Sequence, residues 1–103
     1  MIEVGTLGDP VGAVDLVIST IPAQAQTPEL VRSADPCPIV FEVVYDPWPT
    51  PLAAAAAAHG VRVASGLDLL LAQALSQFEQ FTGVVPAPEV AMGEALRAAA
   101  SLR

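Results

Sequence analysis

Apolar residues recur along the chain in two rhythms. Continuous, largely β-branched runs at residues 15–21 (Asp-Leu-Val-Ile-Ser-Thr-Ile) and 39–45 (Ile-Val-Phe-Glu-Val-Val-Tyr) suit strands buried on both faces of a sheet. Residues 2–6 and 61–64 read as two further short strands, and residues 7–10, holding Gly8 and Asp9, as a turn. Helical signals fall between the strands. Thr27-Pro28-Glu29 supplies an N-cap, a proline at the first helical position and a first-turn acid for a short helix to about residue 33. Pro36-Cys37-Pro38 bars its continuation. Thr50-Pro51 repeats the start signal for a helix to Ala58, and His59-Gly60 ends it. Ser65-Gly66-Leu67-Asp68 fits a capping box and opens the longest helix, to about Thr82 with Gly83 as its stop. There Leu67, Leu70, Leu71, Ala74, Leu75, Phe78 and Phe81 step by three and four. Pro88 starts a last helix to about residue 102. Alternating β and α predicts an α/β fold: a parallel sheet with crossover helices, followed by two C-terminal helices.

Composition narrows the function classes. A chain of 103 residues that is 53% apolar and 15% charged has the makings of a packed domain and not of a disordered tail. No uninterrupted apolar run approaches the ~18 residues of a membrane span, and the first residues carry no basic, signal-like start, so the expected location is cytoplasmic. Cys37 is the only cysteine, which excludes an internal disulfide and a cysteine-based metal site. A net charge of −7, with four Arg and no Lys, argues against nucleic-acid binding, which depends on clustered cations.

In open α/β sheets ligands gather beyond the carboxyl ends of the strands. Tyr45 stands at such an end, just before Asp46-Pro47-Trp48-Pro49. Other reactive side chains have plainer explanations. His59 suits a helix C-terminus, where the dipole favours a cation. Trp48 reads as a rigid loop residue packed on the sheet end. Glu42 and Asp46, four apart on an expected strand, share a face, but Asp46 better starts the turn at Pro47. Gln73, Gln77 and Gln80 form the polar stripe of an amphipathic helix. No G-x-G-x-x-G turn or Walker-type loop is present, so a pyrophosphate cradle is missing.

Three blocks, in order and spacing, resemble shikimate dehydrogenase, the NADP-dependent enzyme of aromatic amino-acid biosynthesis. They are Asp15-Leu16-Val17-Ile18-Ser19-Thr20-Ile21-Pro22, then Val43-Val44-Tyr45-Asp46-Pro47 with Thr50-Pro51-Leu52, then Ser65-Gly66-Leu67 followed by Leu70, Ala72-Gln73 and Phe78. The resemblance covers nearly all of this chain but only the C-terminal part of the enzyme. It implies that residues 1–65 are the distal half of a Rossmann-like NADP-binding domain, and that residues 66–103 are helices which in the family pack on the substrate domain. It implies that Ser19, Thr20, Val43 and Gly66 contact the cofactor, and that Tyr45 and Gln73 hydrogen-bond shikimate or 3-dehydroshikimate. A phenol and a neutral amide can each donate and accept, which suits a polyhydroxylated ring.

The same resemblance places the family's acid/base Lys and Asp, its carboxylate-binding serines and its glycine-rich turn upstream of this chain. Without any lysine here, the expectation is that the chain alone has no dehydrogenase activity. In the usual strand order 3-2-1-4-5-6, residues 2–6 match strand 3 and residues 15–21 strand 4. Strand 4 then has an open edge, and Leu70, Leu75 and Phe78 add an apolar patch. The missing N-terminal part of the enzyme, or self-association, is expected to cover them. The alternatives are a short, inactive α/β module that works by association, and a quinate-specific relative.

Overall fold

The computed structural model describes residues 1–35 and 37–101. The backbone divides into two units, Met1–Ser65 and the residues from Gly66 on. The first unit is a three-stranded parallel sheet of β1 (Val17–Ser19), β2 (Ile39–Glu42) and β3 (Arg62–Ser65), in that spatial order. Helix α1 (Pro28–Ser33), preceded by a 3-10 turn at Ala23–Ala25, links β1 to β2; α2 (Pro51–Ala58) links β2 to β3. The fold is α/β, as the sequence pattern predicts.

Both linking helices start as their sequences direct. The Leu30 amide donates to Thr27 Oγ1 at 3.3 Å, and the Ala53 amide to Thr50 Oγ1 at 3.2 Å. In each case proline occupies a first-turn position, where its missing N–H leaves nothing unpaired. Gly60, at φ +72°, reverses the chain after α2.

Register decides which residues form the core. Val17, Val40 and Val63 lie side by side across the three strands and so share a face. Val40, Leu52, Ala56 and Ala34 are buried together, with Val17, Val31, Val61 and Val63 packed around them. The opposite row is Ile18, Phe41 and Ala64, and Ile18 is 60% exposed. The expected burial of residues 15–21 on both faces therefore does not hold. Burial alternates along β1 and along β2, as in a sheet with a helix layer on one side.

The strands are also shorter than expected. β1 pairs with β2 only over Val17–Ser19. β2 leaves the ladder after Glu42, although the Val43 amide still donates to the Ser19 carbonyl at 3.0 Å. Residues 2–6 form no strand and are exposed throughout. A strand needs a partner to take its backbone groups, and none of the described strands lies alongside. The order is restored at a turn, where the Thr6 amide donates to Asp9 Oδ2 at 2.9 Å and the Asp9 amide to the Thr6 carbonyl at 3.0 Å. The Val11 amide then donates to the Ser33 carbonyl at 2.9 Å, fixing the segment to the end of α1.

The second unit pairs α3 (Gly66–Thr82) with α4 (Glu89–Ser101). Gly83, at φ +72°, ends α3. Glu79 Oε2 accepts from the Ala87 amide at 2.9 Å and holds the connection between the helices. Of the expected apolar patch, Leu75 and Phe78 are half-buried and Leu70 is exposed. The larger exposed side chains lie at the far end of α3 and beyond: Phe81 (84%), Val84, Val85 and Val90. The expected end of the last helix, residue 102, lies outside the described residues, as does Pro36. No described helix is long and apolar enough to cross a membrane.

Candidate functional site

The carboxyl ends of the three strands bring together a polar row. Ser19, Glu42 and Ser65 are register partners, neighbours on one face of the sheet. Burying such groups is costly unless each finds a partner. Glu42 is fully buried and does so thoroughly. Its Oε2 accepts from Gln26 Nε2 at 2.8 Å and from Thr50 Oγ1 at 2.8 Å, and its Oε1 takes a longer contact, 3.4 Å, from the Val44 amide. Gln26 Oε1 accepts from the Leu52 amide at 2.9 Å, so the network reaches the first turn of α2. The positive end of that helix favours a carboxylate.

Ser19 behaves differently. It is 7% exposed, yet its Oγ has no hydrogen-bond partner, alone among the buried side-chain polar atoms of the described residues. With Thr20 it lines a cavity of about 240 Å³ beside β1, walled also by Leu7, Val17, Leu30 and Leu52. Val43 and Tyr45, both half-buried, lie on the segment that leaves β2. Trp48, expected to pack on the sheet end, is 46% exposed.

The segment after β2 overturns one reading. Asp46 is exposed and lies beyond the strand, so Glu42 and Asp46 do not share a strand face. The chain abandons strand geometry at Val43, and the two acids enter different environments. Cys37 is buried, and its thiol donates to the Ile39 carbonyl at 2.9 Å. His59 is the exposed residue that ends α2. No metal-binding cluster of His, Cys, Asp or Glu occurs among the described residues.

Comparison with known proteins places this arrangement. The family model for the shikimate 5'-dehydrogenase C-terminal domain matches residues 66–97. The shikimate dehydrogenase (NADP(+)) of Methanocella arvoryzae is 38% identical over 89 residues, covering 82% of this chain and 33% of that protein. The crystal structure of Mycobacterium tuberculosis shikimate dehydrogenase superposes with a TM-score of 0.76 at 49% identity, over 89% of this chain and 35% of that one. The chain matches the C-terminal portion of the shikimate dehydrogenases. The enzyme of Archaeoglobus fulgidus gives the same picture, at 35% identity over 84% of this chain and 34% of its own. The chain thus spans about a third of the length of the relatives it matches.

The six residues singled out by resemblance to the shikimate dehydrogenases divide between the two units. Ser19, Thr20, Val43 and Tyr45 lie in the first, at the carboxyl ends of β1 and β2. There the structure joins Val43 to Ser19 through the backbone. Gly66 and Gln73 lie in the second, both on α3, with Gly66 buried at its start and Gln73 exposed. Seven residues are close to two turns, so the two positions share a helix face ~10 Å apart. Sequence reasoning missed Gln26 and the part played by Glu42. The one available signal was an acid inside an otherwise apolar strand, which must either find donors or break the strand.

Proposed function

We propose that this chain forms the nicotinamide-side and shikimate-side portion of an NADP-dependent shikimate dehydrogenase. The reaction is reversible hydride transfer between NADP and the shikimate/3-dehydroshikimate pair. The observation that carries the reading is Tyr45: it stands just past the carboxyl end of the central strand β2, in one of the blocks that resemble the family.

The residues at the sheet end fit the nicotinamide end of the cofactor. Val43 offers an apolar surface, and Ser19 a buried hydroxyl with unused hydrogen-bonding capacity. Ser19, Thr20, Val43 and the backbone of Gly66 are the residues that would hold it. When bound, NADP supplies the hydride acceptor. The glycine-rich turn that cradles the pyrophosphate in such folds is absent from this sequence. The Tyr45 hydroxyl and the Gln73 carboxamide would orient the substrate ring, each able to donate and accept. The acid/base lysine that the resemblance implies for the accompanying proton is absent from this chain and would come from the portion that completes the enzyme. The portion that completes the enzyme would also pair the outer edge of β1 and cover Leu16 and Ile18, both exposed.

The test is a chimera in which this chain replaces the matching 35% of the M. tuberculosis enzyme. Reduction of NADP with shikimate is expected in the chimera and not with the chain alone. Tyr45→Phe in the chimera removes one hydroxyl and is expected to lower kcat/KM for shikimate roughly 5- to 150-fold, equivalent to ~1–3 kcal/mol. An unchanged kcat/KM would make Tyr45 structural. A second reading, an inactive module that works by association, is favoured by the exposed edge and face of β1. It expects a stable oligomer of the chain and no turnover in the chimera.

A further inference from the structure

Glu42 is the only buried acid among the described residues, and neither the cofactor nor the substrate contacts above use it. Its two oxygens serve different parts of the chain. Oε2 holds Gln26 and Thr50, and through them the start of α2: Gln26 accepts from the Leu52 amide and Thr50 from the Ala53 amide. Oε1 faces the amide of Val44, the residue before Tyr45. One carboxylate therefore ties both ends of the segment that carries Tyr45 and Trp48. That segment also holds Pro47 and Pro49, whose fixed φ removes further freedom. A short loop pinned at both ends has few conformations left to lose when it meets a ligand.

We infer that Glu42 is a positioning residue for Tyr45, acting through the Val44 amide and the Thr50 hydroxyl to fix where the phenol stands. The inference rests on reading Tyr45 as a substrate ligand. Glutamine at this position keeps the size but has one acceptor oxygen instead of two. With that oxygen turned toward Gln26 and Thr50, the new NH₂ meets the Val44 N–H, donor against donor. The helix cap then survives while the loop is released at Val44.

The chain carries its own reporters, since Tyr45 is its only tyrosine and Trp48 its only tryptophan. Uniform incorporation of fluorotyrosine gives a single ¹⁹F resonance. Glu42→Gln is expected to shift or broaden that resonance and to lower the fluorescence anisotropy of Trp48, with the far-ultraviolet CD spectrum retained. Glu42→Asp, which keeps both acceptors but is a methylene too short to span the two sets of donors, is expected to do the same and serves if Glu42→Gln does not fold. A folded variant with an unchanged ¹⁹F line overturns the inference. So does loss of fold in both variants, because Glu42 would then hold the unit together and aim no particular side chain.

In the chimera, Glu42→Gln is expected to raise KM for shikimate roughly fivefold when Tyr45 is present and less than about twofold in a Tyr45→Phe background. Equal changes in both backgrounds also overturn it. If Tyr45→Phe alone leaves kcat/KM unchanged, the substrate reading of Tyr45 fails and the inference falls with it. That outcome is read from the Tyr45→Phe comparison, before Glu42 is touched.

Discussion

Thr50→Val tests the buried network by removing one oxygen atom without changing the shape of the side chain. Thr50 is fully buried and its hydroxyl works twice: it accepts from the Ala53 amide as the N-cap of α2 and donates to Glu42 Oε2 at 2.8 Å. Loss of an N-cap acceptor costs about 1 kcal/mol. Loss of a hydrogen bond to a charged group costs about 1.5–3 kcal/mol, and more where the partner stays buried. The extra methyl of valine returns somewhat under 1 kcal/mol, so the net cost is about 2–3 kcal/mol. Thr50→Ser keeps the hydroxyl and loses one buried methyl, for about 1 kcal/mol. Urea unfolding followed by Trp48 fluorescence reads the first unit, because Trp48 is the single tryptophan and lies two residues from the cap. With a slope near 1 kcal/mol per molar urea, the midpoint is expected to fall by about 2–3 M for the valine variant and about 1 M for the serine variant. A valine variant as stable as the serine variant would show that the hydroxyl carries no net stabilisation and refute the reasoning.

Further predictions follow from single contacts. Leu52→Ala empties the middle of a core made with Val40, Ala34 and Ala56 and is expected to cost about 3 kcal/mol in the same assay; a loss below about 1 kcal/mol would contradict its burial. Gly60→Ala places a Cβ in open space but at φ +72°, so its expected cost of about 1 kcal/mol is purely conformational, and no change in the urea midpoint would refute the left-handed turn. The carboxyl of Glu29 is held below its ordinary value of 4.5 by the backbone amide at Glu29, then by the Thr27 hydroxyl, with Arg32 adding a smaller attraction. Because the folded value is the lower one, this contribution is fully present above the unfolded value of 4.5 and is lost as pH falls through the folded value. Glu29→Gln is therefore expected to flatten the acid limb of the stability profile in that window, and an unchanged limb would dismiss the contact.

What the sequence determined by itself is local. Thr27-Pro28 and Thr50-Pro51 start helices wherever they stand, because the cap oxygen reaches an amide three residues away and the proline needs no partner. Gly60 and Gly83 end helices for an equally local reason, a left-handed turn that other residues resist. The parallel α/β class followed from the alternation of these elements. The candidate residues Ser19, Thr20, Val43, Tyr45, Gly66 and Gln73 came from block resemblance, which carries information that no single stretch of this chain contains.

Only the tertiary structure decided the rest, because it depends on neighbours distant in sequence. A strand exists where another strand takes its amides: residues 2–6 have the composition of a strand and lack the partner, while β1 is a strand only over the three residues that pair with β2. Periodicity likewise could not say how many faces of the sheet would be covered, since that depends on which helices pack where. Glu42 shows the limit most clearly. Its donors sit 16 residues before it, at Gln26, and 8 residues after it, at Thr50, and the Gln26 carboxamide reaches 26 residues on to the Leu52 amide. Only folding brings those groups to one carboxylate, and that meeting turns an awkward acid in an apolar strand into the clamp between α2 and the segment carrying Tyr45.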